Sequence, residues 1–128
     1  MKYLGYQQCL AIYRRVMEAT SGSGALRDRG LLEAALARPR ASFGGEDLYP
    51  TLFDKAAALC HSITKNHPFT DGNKRVAYES TKIFLLMNGY RIHGSEDEKF
   101  KFVISIAEGL LDVPEISVWL KDKTQPIR

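Results

Sequence analysis

The most constraining feature of this chain is the run Ile83-Phe84-Leu85-Leu86-Met87, late in a stretch that begins near Asp71 or Gly72 and stops at Asn88. A helix there is apolar on nearly every side, and a helix with no face for water belongs at the centre of a bundle. Gly89 closes it, because glycine tolerates the left-handed backbone that follows a helix end. The rest of the chain repeats the helical period. Cys9, Tyr13, Val16 and Met17 share one face of a first helix. Leu31, Leu32, Ala35 and Leu36 mark a short second one, closed before Pro39. Leu52, Phe53, Ala56, Leu59, Cys60 and Ile63 form a stripe that runs out at Asn66-His67-Pro68. Phe100, Val103, Ile104, Ala107 and Leu111 give another amphipathic helix. Pro114 suits the first turn of a last one, with Ile116, Val118, Trp119 and Leu120 as its apolar content. Strand signals are nearly absent. The spacing predicts an all-α fold, a single compact bundle of about six helices over residues 1–128.

Composition narrows the function classes. The net charge of +3 is small and spread along the chain, without the dense basic patch of a nucleic-acid binder, so no direct nucleic-acid binding is expected. No apolar run reaches the length of a membrane span. The first residues, Met1 to Tyr6, lack the apolar stretch of a secretory signal. The expected location is the cytoplasm. Cys9 and Cys60 sit among apolar residues and read as buried, reduced thiols. His61, His67 and His93 have no metal-ligand spacing; His61 reads as structural and His93 as surface. Ser21-Gly22-Ser23-Gly24 is a turn and not a phosphate loop, since no strand precedes it.

The chemistry concentrates in His67-Pro68-Phe69-Thr70-Asp71-Gly72-Asn73-Lys74-Arg75, which joins two helices. The first N–H groups of a helix have no internal acceptor and carry partial positive charge. Gly72 lets backbone approach a ligand closely. Lys74 and Arg75 add full charges in the same turn, so the segment suits several phosphate oxygens. Asp71 has a plain reading as the N-cap of the second helix. It has a sharper one as a Mg²⁺ ligand, since a carboxylate beside phosphates is repulsive without a cation between them. Imidazole can accept a proton near neutral pH, which suits His67 to activate a hydroxyl; its plain reading is a cap on the preceding helix. Phe69 reads as an apolar plug that pins the loop.

HPFTDGNKR resembles the Fic motif, HPFx[DE]GNGR. Lys74 stands where the Fic adenylyltransferases have glycine, and lysine there marks the Doc, "death on curing", toxins. Leu26 to Asn66, Ile83 to Ile92, and Ala107-Glu108-Gly109 also resemble the Doc pattern. The resemblance implies the Fic/Doc fold with a short flap loop. It implies His67 as base, Asp71 on Mg²⁺, a nest from Gly72, Asn73 and the Lys74 backbone, and Lys74 and Arg75 on phosphate oxygens. It implies a toxin of a type II toxin–antitoxin system that moves the γ-phosphate of ATP to a threonine of elongation factor Tu. A small antitoxin, with a segment that folds into a groove of the toxin, is the implied partner. Gly72, by contrast, is the adenylyltransferase residue, so AMP transfer by the same site is the alternative, and a non-enzymatic binding or regulatory module is the other.

Arg40 to Pro50, with Gly44-Gly45 and Pro50, reads as an exposed loop or small hairpin. It corresponds in position to the Fic flap, and Phe43 and Gly44 are the candidates for docking a target segment by strand addition. Ser42 to Glu46 echoes the spacing of the Fic self-inhibitory motif, in the wrong place to act as one.

Overall fold

A computed structural model describes residues 1–127. It contains the helices α1 (Tyr6–Thr20), α2 (Arg29–Ala37), α3 (Leu52–Asn66), α4 (Asn73–Met87), α5 (Glu96–Ala107) and α6 (Val113–Lys123), with a 3₁₀ turn at Arg38–Arg40. The all-α bundle read from the periodicity is the fold observed. Among the described residues no helix is long and apolar enough to cross a membrane.

The central helix is α3 and not α4. α3 packs against α2, α4, α5 and α6, and every residue from Lys55 to Cys60 is buried. The cause is size. Ala56, Ala57, Ala58 and Cys60 are small, so neighbouring helices close in on all sides. In α4 only Phe84 and Leu85 of the apolar run are buried, while Ile83, Leu86 and Met87 lie partly open. α5 is also phased differently from the expectation. Phe102, Val103 and Ile106 face the core, Trp119 stacks on Phe102 with centroids 3.7 Å apart, and Phe100 is 64% exposed.

Two short antiparallel pairs complete the fold. β1 (Ser42–Phe43) and β2 (Glu46–Asp47) form a hairpin between Arg40 and Pro50, the second of the two forms, loop or hairpin, that the sequence allowed there. Gly44 and Gly45 supply the positive φ angles, 60° and 83°, that its tight turn needs. β3 (Tyr90–Ile92) pairs with β4 (Thr124–Pro126), tying the end of α4 to the segment after α6. Three-residue strands carry too little alternation to register in sequence.

Local chemistry sets the helix starts. Asp28 accepts from Leu31 N–H at 3.0 Å, Thr51 from Asp54 N–H at 3.0 Å, and Ser95 from Glu98 N–H at 3.1 Å. Gln8 and Glu115 reach back to the Gly5 and Asp112 amides. Among the described residues, α4 begins with no side chain bonded to the amides of its first turn and with no acidic residue in that turn.

Candidate active site

α3 ends because Pro68 disfavours helix in the residue before it. His67 turns into the left-handed region, φ 51° and ψ 60°, as the C-cap. Its cap reading is therefore observed as geometry, and its side chain is exposed. Phe69 then dives inward. It is buried and stacks face to face on Tyr13, centroids 4.0 Å apart, the plug expected of it.

Asn73, the first residue of α4, locks the loop. Its Oδ1 accepts from Phe69 N–H at 3.0 Å, and its Nδ2 donates to Phe69 C=O at 2.8 Å. The side chain is buried and bonded to the loop through both its oxygen and its nitrogen, so it is the backbone N–H that Asn73 presents to a ligand. The same Nδ2 lies 3.5 Å from His67 Nδ1, at the outer limit for a hydrogen bond. The imidazole is thus aimed mainly by its own backbone.

Gly72 is the true N-cap of α4, with φ 78°, which corrects the plain reading of Asp71. Asp71 Oδ1 instead accepts from Gly72 N–H at 2.8 Å. The reason is the left-handed turn at Gly72, which lies between Asp71 and the first helical amides. Asp71, Lys74 and Arg75 are exposed, and neither cation has an acidic partner among the described residues. The tip of α4 is therefore open and cationic, with amide donors unclaimed by side chains. Such a tip can hold a polyphosphate.

No three or more His, Cys, Asp or Glu residues converge on a metal position among the described residues. Mg²⁺ needs no such cage: one or two carboxylates suffice when phosphate oxygens and water fill the other positions. The exposed Asp71 carboxylate beside the tip fits that arrangement.

A groove between α1, α4 and α5 is lined by Asp71 to Arg75 together with Arg15, Met17, Lys99 and Phe100. His67 is not part of its lining. Phe43 and Gly44 sit apart on the flap hairpin, Phe43 81% exposed. Its base is fixed to α3. Buried Lys55 bonds Asp47 Oδ2 at 3.0 Å and Pro39 C=O at 3.3 Å, and Arg38 joins Tyr49 Oη, His61 Nδ1 and Ser62 Oγ, each at 2.9 Å. His61 is thereby structural and His93 exposed, as expected. Burial pushes the Cys60 thiol up to about 11 and raises that of Cys9, so both are inert free thiols.

The sequence reading missed the strap behind the loop. Residues 25–28 run alongside it: Thr70 N–H donates to Ala25 C=O at 2.9 Å, Ala25 N–H to Thr70 Oγ1 at 2.8 Å, and Leu26 bridges to Phe69.

Two relatives are similar to this chain in sequence. A "Toxin Doc" of Mycolicibacterium smegmatis is 48% identical over 79 residues, covering 62% of this chain and 61% of that one. The chain thus matches less than two thirds of that toxin's length. "Protein kinase doc" of Escherichia phage P1 is 26% identical over 121 residues, 94% of each chain. The Fic/DOC family model matches residues 3–85, which spans the flap, α3, the His67 loop and most of α4. The chain belongs to the Fic/DOC family.

Proposed function

We propose that this protein is the toxin of a type II toxin–antitoxin pair, a cytoplasmic bacterial phosphotransferase that moves the γ-phosphate of ATP to a serine or threonine hydroxyl, in particular a threonine of elongation factor Tu. The observation that carries the reading is the open, cationic start of α4, where Lys74 and Arg75 have no acidic partner among the described residues and lie one loop away from His67. The relative from phage P1 bears the name of a protein kinase, and Lys74 is the Doc-branch residue in the motif that the chain resembles.

The chemistry follows from positioning. His67 takes the proton of the target hydroxyl. The hydroxyl oxygen bonds to the γ-phosphorus as the bridge to the β-phosphate breaks, and ADP leaves. Lys74, Arg75 and the first amides of α4 neutralise the charge that spreads over the phosphate oxygens. Mg²⁺, held by Asp71 and the nucleotide, would add further neutralisation of the phosphates. The flap presents Phe43 and Gly44 on a free strand edge, where a target segment can add. A segment of a cognate antitoxin that folds on binding has a berth in the groove between α1, α4 and α5. An occupant there covers Asp71 to Arg75, which excludes the nucleotide.

Adenylyl transfer is the second reading, and Gly72 favours it. The test separates them. Elongation factor Tu and Mg²⁺ are incubated with ATP labelled at the γ- or the α-phosphate, with His67→Ala as control. Transfer from the γ-position only, lost in His67→Ala, is the expected result. Transfer from the α-position moves the assignment to AMP transfer, and none from either overturns both.

A further inference from the structure

We infer that Arg27 is a positioning residue for His67, which rests on the reading of His67 as the base. Among the described residues only Ser21 and His67 are non-glycine residues with positive φ. Residues with a side chain hold that conformation when their surroundings over-determine it. The last carbonyls of a helix have no intrahelical partner, so something outside α3 must fix them.

One residue does. Arg27 Nη2 donates to Asn66 C=O at 3.0 Å and Nε to His67 C=O at 2.8 Å. The Arg27 backbone N–H donates to Pro68 C=O at 2.8 Å, an acceptor shared with Asp28 N–H at 3.0 Å. Three successive carbonyls, those of residues 66, 67 and 68, are therefore oriented from a point 40 residues earlier in the chain. Orienting them sets the peptide planes on both sides of His67. Pro68 fixes its own φ and leaves little slack. The strap of residues 25–28 holds Arg27 in place through Thr70 and Phe69.

The direction of the His67 ring depends on this because, among the described residues, no close hydrogen bond holds it. The ring is exposed, and its one polar contact among those residues is the 3.5 Å approach of Asn73. The Cα–Cβ vector, and so the backbone at residue 67, aims it. A guanidinium suits the task because its planar fork meets two carbonyls at once, whereas a lysine ammonium is a point donor. The phosphates would be held at the tip of α4, which Arg27 does not touch. Losing Arg27 therefore misplaces the base without loosening the nucleotide.

The test uses the full chain with Arg27→Lys and Arg27→Ala, and two readouts. The first is the NMR signal of the His67 ring in histidine-labelled protein, assigned with His67→Ala and read against His61 and His93. It needs no activity, so it decides the inference even if the wild type transfers no phosphate, an outcome that would sink the proposed function alone. The second is transfer kinetics. Both variants are expected to shift the His67 signal and leave His93 in place. They are expected to lower kcat by roughly 100-fold, the size of effect a misplaced group produces, with KM for ATP little changed. Methylguanidinium is expected to restore part of the rate to Arg27→Ala. An unmoved His67 signal in either variant overturns the inference, as does a rise in KM for ATP that accounts for the lost rate. Arg27→Lys keeps the test decisive if Arg27→Ala does not fold.

Discussion

Replacing Asn73 with alanine tests whether the loop is held from inside. The side chain makes two hydrogen bonds to the backbone of Phe69, at 3.0 and 2.8 Å, and both Phe69 and Asn73 are buried. Alanine removes both and leaves an N–H and a C=O of Phe69 without partners. An unsatisfied buried polar group costs about 1–3 kcal/mol. The loop is near the surface, where water can reach in part, so the low end applies to each group. The total is about 2–4 kcal/mol, against a stability of about 5–15 kcal/mol for a domain of ordinary size. The variant should fold and melt about 10 °C lower. Transfer activity should fall further than stability explains, because Phe69 ties down the loop that carries His67 and Asp71. Asn73→Asp separates shape from chemistry. It can still accept from Phe69 N–H, but it sets an oxygen against Phe69 C=O, so it should be no better than alanine. Thermal unfolding followed by circular dichroism measures the first part and transfer kinetics the second. A melting point within about 2 °C of wild type for Asn73→Ala, with full activity, would refute the reasoning.

Gly72→Ala places a Cβ against Met17 Cε at a φ of 78°. The left-handed backbone costs about 1–2 kcal/mol, and the flexible Met17 tip can yield, so urea unfolding should show a loss of that order. Lys55→Met keeps the buried volume but frees Asp47. Stability should stay within about 1 kcal/mol, because removing a buried charge offsets the lost pair, while hydrogen exchange at Leu48, whose N–H bonds Ala41 C=O at 2.9 Å, should accelerate. Phe43→Ala, at an exposed tip, should leave stability within about 0.5 kcal/mol and raise KM for the protein target. Burial first, then the Arg38 guanidinium, lowers the His61 pKa, outweighing Asp112. The unfolded chain thus takes up this proton first, so stability should decline as the pH falls below about 6.5. His61→Gln should flatten that decline in urea midpoints compared across the range.

How much of this was readable depends on distance along the chain. The helices came from periodicity, and the loop from His67 to Arg75 came from nine consecutive residues whose chemistry is local. The flap hairpin was legible because Gly44-Gly45 states its own turn. Long-range geometry was not. Arg27 reads as one more exposed cation until the fold brings it against the end of α3. Lys55 reads as a surface residue in an apolar stripe, yet it is 3% exposed because Asp47 and Pro39 arrive from the flap. The centre of the bundle was assigned to α4 because Ile83 to Met87 is the most apolar run. Alanines decided for α3, since small side chains earn burial by letting neighbours approach and not by hydropathy. Phe100 was placed in the core beside Val103, but the buried face is the one that carries Phe102, Val103 and Ile106. The plain reading of Asp71, as a cap, fails because nothing local reveals that Gly72 turns left-handed first; its reading as a metal ligand is unaffected.

The central claim is that a magnesium nucleotide lies across the tip of α4 with its last phosphorus nearest His67. A crystal structure of the full chain with Mg²⁺ and a non-hydrolysable ATP analogue tests it most directly. The γ-phosphorus should face the imidazole, with Asp71 on the metal and Lys74 and Arg75 on phosphate oxygens. An α-phosphorus beside His67, or a tip left bare at saturating nucleotide, would contradict it.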